Sequence, residues 1–315
     1  MASISKKVIW YLTNKSFRFS MNNKWGFYRN MDDEEFLKKS YFAYTGRELD
    51  INNPQTFNEK LQWLKLNDRN ELYISLVDKY ESKKYVKELL GEQFIIPNIG
   101  VWDTYDDIEF DELPNQFVLK CTHDSGGLII CRDKSKLDYN YTEKKIKRSL
   151  SRNYFWVGRE WPYKGVRPRV IAEQYMEDEN CSCESGLTDY KFFCFNGEPR
   201  FIYISKGLEN HATASISFYD LDGNELYFHR SDYRQFHNCV FPPNFNEMTE
   251  IARKLAKSIG CDFVRIDLYS INNRIYFSEI TFSPCSGIIP FEPKEADAEL
   301  GKLLVLHKDK LAENT

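Results

Sequence analysis

Long hydrophobic runs are missing from this 315-residue sequence. The longest are about five residues, as in Val8-Ile9-Trp10-Tyr11-Leu12, against the roughly 20 that span a bilayer. A surplus of one charge sign is missing too: 43 Lys and Arg face 47 Asp and Glu, a net charge of −4. A general nucleic-acid binder would carry a basic excess, so nucleic acid is not an expected partner. Zinc-type cysteine spacing is absent. The eight cysteines (121, 131, 181, 183, 194, 239, 261 and 285) include no C-x-x-C pair. A chain of this size needs no disulfide staples and no leader-like segment opens it, so reduced thiols in the cytoplasm are the expectation. G-x-x-x-x-G-K-[ST], G-x-G-x-x-G and H-E-x-x-H do not occur, which removes the P-loop, the Rossmann site and the zincin.

What is present is the profile of a folded protein, with 42% hydrophobic and 29% charged residues. Residues 1–30 carry Lys6, Lys7, Lys15, Arg18, Lys24 and Arg29, no acid, and interleaved Trp10, Phe17, Phe19 and Trp25. Such a segment either packs on the body with a solvated basic face or lies on an anionic membrane surface. Asp32 to Glu35 read as a helix N-terminus, and Thr56 with Glu59 as a capping box. A further helix is expected over 71–90, closed by Gly91. Beyond Pro97 the texture changes to short strands at Phe117–Cys121, Leu128–Cys131, Arg169–Ala172, Lys191–Phe195, Phe201–Ser205, Ser215–Tyr219 and Glu225–His229. Met248, Ile251, Ala252, Leu255, Ala256 and Ile259 recur at helical spacing before Gly260, and strands 261–269 and 274–282 follow. This order implies an α+β protein.

Asp124-Ser125-Gly126-Gly127 imitates a protease nucleophile segment without the disulfide-rich context of one. Asp220-Leu221-Asp222 imitates the metal-binding pair of glycosyltransferases, but Asp222-Gly223 between two strands reads as a plain turn. Three other stretches carry more. Phe117 to Ile130 runs strand, small-residue loop, strand. Its glycines let backbone amides approach an anion while Lys120 supplies a point charge, although an exposed Lys beside a flexible hairpin fits as well. Val170 to Met176 is an apolar strand running into Glu173, suited to an adenine slot or to a polar strand edge. Arg265-Ile266-Asp267 and Glu279-Ile280-Thr281 place an acid on each of two adjacent strands. Opposed carboxylates repel unless cations separate them, so a metal or a salt bridge to Arg265 is expected. If Asp267 faces Glu279, parity forbids a regular two-residue turn at Asn272-Asn273 unless a bulge restores the register.

Taken in order, these stretches and Ser283, Pro284, Ser286 and Gly287 resemble the ATP-grasp superfamily over about 78–290. Thr56-Phe57-Asn58-Glu59-Lys60-Leu61-Gln62-Trp63-Leu64-Lys65, Arg159-Glu160-Trp161-Pro162-Tyr163 and Asp189-Tyr190-Lys191-Phe192-Phe193 resemble its TupA-like branch. The resemblance implies a nucleotide held between two α+β lobes: a helical region over 1–77, a small lobe with the phosphate loop over 78–172, and a large lobe with the metal site over 173–315. It implies that Lys79 and Lys120 bind phosphates, that Ser125, Gly126 and Gly127 form the lid loop, and that Glu173, Gln174, Tyr175 and Met176 form the adenine hinge. It places Asp189 near the ribose, Arg265 at the transferred phosphoryl group, and Asp267, Glu279 and Thr281 at Mg²⁺. Thr281 stands where many members carry Asn, and its hydroxyl is a poorer metal ligand than an amide carbonyl. The link from Glu177 to Thr188 is longer than usual. Arg159, Trp161 and Ser286 are expected near the acceptor.

The implied activity is an ATP- and Mg²⁺-dependent carboxylate–amine ligase working through an acyl phosphate, in synthesis of bacterial teichuronopeptide, capsule or other surface polysaccharide. Its partners would be a uronic-acid or amino-acid carboxylate and an amine. A phosphotransferase with a hydroxyl acceptor, a glycosyltransferase and a non-catalytic assembly protein are the alternatives.

Overall fold

A computed structural model describes residues 4–179, 186–207 and 214–307. The chain opens with α1 (Ile4–Thr13), α2 (Lys15–Lys24), α3 (Asp33–Thr45), α4 (Phe57–Asn67), α5 (Leu72–Val77) and α6 (Glu81–Leu90). It continues through β1 (Asn98–Trp102), β2 (Phe117–Cys121), β3 (Leu128–Cys131), α7 (Tyr139–Leu150), α8 (Phe155–Gly158) and β4 (Val170–Gln174). The last part holds β5 (Asp189–Phe195), β6 (Glu198–Lys206), β7 (Ser215–Asp220), β8 (His229–Arg230), α9 (Phe245–Ile259), β9 (Phe263–Ile271), β10 (Arg274–Thr281), β11 (Phe291–Glu292) and α10 (Glu295–Leu303). The architecture is α+β, with antiparallel sheets in the orders β1-β4-β2-β3 and β10-β9-β5-β6-β7, and β8 paired with β11.

The two sheets bury different patterns. In β2 alternation sends Phe117, Leu119 and Cys121 into a core with Ile146 of α7, and leaves Val118 and Lys120 on the other face. In β5 nearly every residue is buried because both faces of the five-stranded sheet are covered. On one face Phe192, Cys194, Ile202, Ile266 and Leu268 pack with Met248, Ala252 and Leu255 of α9. On the other, Phe193, Phe195, Phe201, Phe218 and Phe263 pack with Phe57 of α4 and Leu300 of α10. The N-terminal helix α4 is therefore a cover of the large sheet. Thr56 and Glu59 form the reciprocal capping box at its start, and Gly260, at φ 71°, closes α9.

Two elements depart from the sequence reading. The helix expected over 71–90 breaks into α5 and α6, because the Asp78 carboxylate accepts the Tyr80 and Glu81 amides and restarts the helix there. The break lets the Lys79 amide bond the Thr122 carbonyl at 3.0 Å, which ties it to the loop after β2. The strand expected over 225–229 shrinks to β8, His229–Arg230. The Asp220 carboxylate turns back on the amides of Asp222 and Asn224, so Asp220-Leu221-Asp222 is a turn. In the basic N-terminal segment α2 packs on the body through buried Phe19, and α1 packs on α2 and leaves Val8, Ile9, Trp10 and Leu12 exposed.

Phe57 is fully buried, with ring centroids 4.9 Å from Phe263 and 5.4 Å from Phe195. Phe57→Ala is expected to cost roughly 3–5 kcal/mol by the lost burial and the cavity left behind. Urea unfolding at constant m-value checks this.

Candidate active site

A cleft of about 600 Å³ opens between the two sheets. Lys79, Lys120, Ser125, Gly126, Gly127, Glu173, Gln174, Tyr175, Met176, Asp189 and Glu279 all line it. Its remaining wall includes Ile96, Leu187 and Tyr269, which with Met176 belong to one apolar cluster and make the slot a flat ring would need.

The floor is set by the β9–β10 hairpin. Asn272 and Asn273, at φ 50° and 60°, make a two-residue turn with Ile271 opposite Arg274. Continued regularly, that turn would set Asp267 opposite Ser278 and send Glu279 to the other face. A bulge between Phe277 and Glu279 inserts one extra residue and sets Asp267 opposite Glu279. Tyr203, Lys191, Asp267 and Glu279 consequently form one row across β6, β5, β9 and β10.

Arg265 closes on this row. Its Nε donates to Asp267 Oδ1 at 2.7 Å, and its Nη2 reaches Asp267 Oδ2 at 2.7 Å, Glu279 Oε1 at 2.9 Å and Thr281 Oγ1 at 3.0 Å. Lys191 Nζ lies 2.6 Å from Asp267 Oδ2 and 3.2 Å from Asp189 Oδ2. Burial disfavours the charged forms of Arg265 and Lys191, yet the acids around them hold both pKa values well above the ordinary range. Burial likewise pushes Glu279 up, but Lys79, Lys191 and Arg265 outweigh it and bring its pKa to about 2. Asp189 goes the other way, raised by burial.

The opposite wall carries a second ion cluster. Glu173 is buried, with Oε1 2.5 Å from Lys83 Nζ and Oε2 2.6 Å from Lys120 Nζ. Lys79 Nζ donates to the Asp124 carbonyl at 2.7 Å and stands 4.0 Å from Glu279 Oε2, so it reaches both walls. The glycine loop curls on itself: Asp124 Oδ1 accepts the Gly126 and Gly127 amides at 3.2 and 2.9 Å, and Oδ2 accepts Ser149 Oγ.

A family model described as TupA-like ATPgrasp matches residues 59–305. The chain belongs to the TupA-like ATP-grasp family. Solved structures similar to it include the D-alanine–D-alanine ligase of Helicobacter pylori, 15% identical over 80% of this chain and 70% of that one, with a TM-score of 0.41. Another is an ADP complex of the N5-carboxyaminoimidazole ribonucleotide synthetase PurK, 12% identical over 71% of this chain and 50% of that one, with a TM-score of 0.42. A third is the D-alanine–D-alanine ligase of Bacillus anthracis complexed with ATP, 15% identical over 66% and 55%, with a TM-score of 0.38. This chain thus spans only about half the length of the latter two. No curated protein matches the sequence.

The ATP-grasp residues named from sequence do not all reach the cleft. Arg265, Asp267 and Thr281 lie in and beneath its floor, joined to Glu279 by the bonds above. Ser286 sits in a segment where Cys285 and Ser286 both take φ 52°. Its carbonyl accepts Lys65 Nζ at 2.8 Å and Gln62 Nε2 at 3.1 Å, and its hydroxyl donates to Glu160 Oε1 at 2.7 Å. Arg159 does not line the cleft: its guanidinium bonds Asp33 and the Tyr28 carbonyl and stacks 4.4 Å over Trp156. It joins the small lobe to the N-terminal helices. Trp161 is half-buried and does not line the cleft. Cys181 and Cys183 lie outside the described residues.

Lys83, Lys191, Gln62, Lys65 and Glu160 were not singled out as site residues. Lys191 left a signal of its own, an isolated cation in the otherwise apolar run Tyr190 to Phe195, whereas Gln62, Lys65 and Glu160 were marked only by standing in the stretches that resemble the TupA-like branch.

The residues fit a nucleotide and its metal. Asp189 Oδ1 is a buried oxygen with no hydrogen-bond partner, an acceptor waiting for a hydroxyl. Among the described residues no three acids, histidines or cysteines converge. Mg²⁺ travelling with phosphates needs only one or two protein carboxylates; Glu279 lines the cleft and supplies one, while Asp267 is fully buried with both oxygens accepting from Arg265 and Lys191.

Because Glu173 titrates near 2 when folded and at about 4.3 when unfolded, the stability it contributes is complete above that upper value and fades as pH falls toward 2. Glu173→Gln, which strands two cations, is expected to lose roughly 3 kcal/mol at pH 7. The gap to wild type should narrow between pH 5 and 3 in denaturant titrations.

Proposed function

We propose that this protein is an ATP- and Mg²⁺-dependent carboxylate–amine ligase. The observation that carries the reading is the meeting, around one cleft, of Lys79, Lys120 and a glycine loop with the Arg265, Asp267 and Glu279 row. Lys79 and Lys120 face the place where phosphate charge would sit. Arg265, fixed by its bonds to Asp267, Glu279 and Thr281, would hold a positive charge beneath a phosphoryl group in transit and needs no reorganisation to do so. Asp189 would accept a ribose hydroxyl, and Ile96, Met176 and Leu187 would exclude water from the base. Glu279 would hold Mg²⁺ at the cleft, Asp267 would join it only by giving up a bond to Lys191 or Arg265, Thr281 would reach it through water, and the ion would neutralise charge on the phosphates.

The acceptor carboxylate would attack the γ-phosphorus, releasing ADP and leaving an acyl phosphate. An amine would then attack the acyl carbon, shed a proton and expel phosphate to form the amide. The family supports a uronic-acid or amino-acid carboxylate, and a role in bacterial surface-polysaccharide synthesis in the cytoplasm. Among the described residues no helix is long and apolar enough to cross a membrane.

ATP with Mg²⁺ is expected to raise Tm, and a sugar nucleotide is not. Lys120→Ala should lower kcat roughly a hundredfold or more, and Glu279→Gln should abolish turnover with the fold intact by circular dichroism. With ¹⁸O in the acceptor carboxylate, one label per turnover should appear in inorganic phosphate, and only when the amine is supplied. A stable phosphorylated acceptor would instead identify a phosphotransferase, and unlabelled phosphate would mean ATP hydrolysis.

A further inference from the structure

The first 31 residues contain six Lys and Arg and no acid, and Ile4–Thr13 and Lys15–Lys24 form a helical hairpin that carries unusual exposed apolar area. Val8 is 53% exposed, Leu12 67% and Phe27 69%. These side chains are contiguous. Leu12 and Val8 are one helical turn apart on α1, as are Val8 and Tyr11. Tyr11 then meets Trp25 at 5.7 Å, and Trp25 meets Phe27 at 6.1 Å.

The patch is held in shape. Tyr11 donates to Asn22 at 2.7 Å, and Arg18 caps the end of α1 through the Leu12 carbonyl at 3.0 Å. Asn23 bonds the Trp156 carbonyl at 3.0 Å, and Arg29 stacks 4.8 Å over the Trp156 ring. The apolar strip therefore stands on a fixed hairpin fastened to the small lobe. Around the α1 axis, Lys7 follows on one side of the Tyr11–Val8–Leu12–Ile9 arc and Lys6 on the other, while Trp25 supplies an amphipathic ring and Trp10 lies on the opposite side against Phe17.

We propose that the α1–α2 hairpin docks this protein on the surface of an anionic lipid bilayer, with Val8, Ile9, Leu12, Trp25 and Phe27 entering the headgroup boundary and the flanking lysines meeting lipid phosphates. Charge selects this occupant. A second copy would bring two acid-free, cationic patches face to face. Nucleic acid would reward the cations but not the exposed aliphatic side chains. The inference is independent of the ligase reading, because no cleft residue belongs to the hairpin.

Vesicle co-sedimentation of the full chain tests it, with phosphatidylcholine alone and with phosphatidylcholine containing 30% phosphatidylglycerol (about one lipid in three). Binding is expected to the anionic vesicles only, and should weaken as salt rises. Ile9→Glu with Leu12→Glu should reduce it more than about tenfold. Lys7→Gln with Lys24→Gln should reduce it by roughly fivefold per charge, and matching melting curves check that both variants fold. Failure of the wild type to bind anionic vesicles at low salt would overturn the proposal. So would binding that survives Ile9→Glu with Leu12→Glu, or lipid-independent dimerisation in sedimentation velocity that the same variant abolishes.

Discussion

Asp267 has no exposed surface, and its two carboxylate oxygens lie between Arg265 and Lys191. An ionised group so placed is tolerable only when its partners are fixed around it, since stripping away one cation or anion leaves the rest uncompensated at a cost of about 3–5 kcal/mol. That condition reaches well beyond the pair. It requires β5 beside β9 so that Lys191 faces Asp267, and β10 in the register that brings Glu279 level with it. The bulge at Ser278 belongs to the same requirement, because the Asn272-Asn273 turn alone would aim Glu279 at the α9 side.

The four-stranded sheet answers with a matching arrangement, one carboxylate between two ammonium groups, as Glu173 gathers Lys83 and Lys120. The two clusters make the cleft walls rigid charge arrays rather than loose surface side chains. Between them Lys79 reaches the Asp124 carbonyl on one wall and Glu279 on the other, a position it owes to the break between α5 and α6. The segment around Ser286 is likewise pinned from outside the cleft. Gln62 and Lys65 hold its carbonyls, and Glu160 holds the Ser286 hydroxyl. Burial pulls the Lys65 pKa down to about 8 and raises that of Glu160, while the opposite charge of each partly offsets the shift of the other.

Most of the strands were legible because the chain alternates clearly where one face is wet, as in Phe117–Cys121, and runs apolar where both are covered, as in Lys191–Phe195. The capping box at Thr56 and the stop at Gly260 are local chemistry and need no tertiary context. The parity argument on Asp267 and Glu279 anticipated a loop or a bulge, and the bulge is what occurs. What could not be read were features settled by distant partners. Asp78 looks like any helical acid until Arg169 pairs with it at 2.9 Å. Arg159 looks like a recognition residue until Asp33 and the carbonyls after α2 take its guanidinium. Lys83 lies on an ordinary helix face, and nothing in its neighbours announces that it will neutralise Glu173 across 90 positions of chain.

The position of α4 bears on where this folding unit begins. Family similarity starts at Glu59, already inside the helix. The three residues just ahead are indispensable to it: Thr56 caps the helix, Phe57 fills the aromatic core, and Asn58 exchanges two hydrogen bonds with the backbone of Ile289 while its own amide is held by Asp297. A polypeptide shortened to the region of similarity would lose all three and leave the large sheet with a hole over Phe263. The edge of recognisable ancestry and the edge of the autonomous unit do not coincide here, and the second lies further upstream.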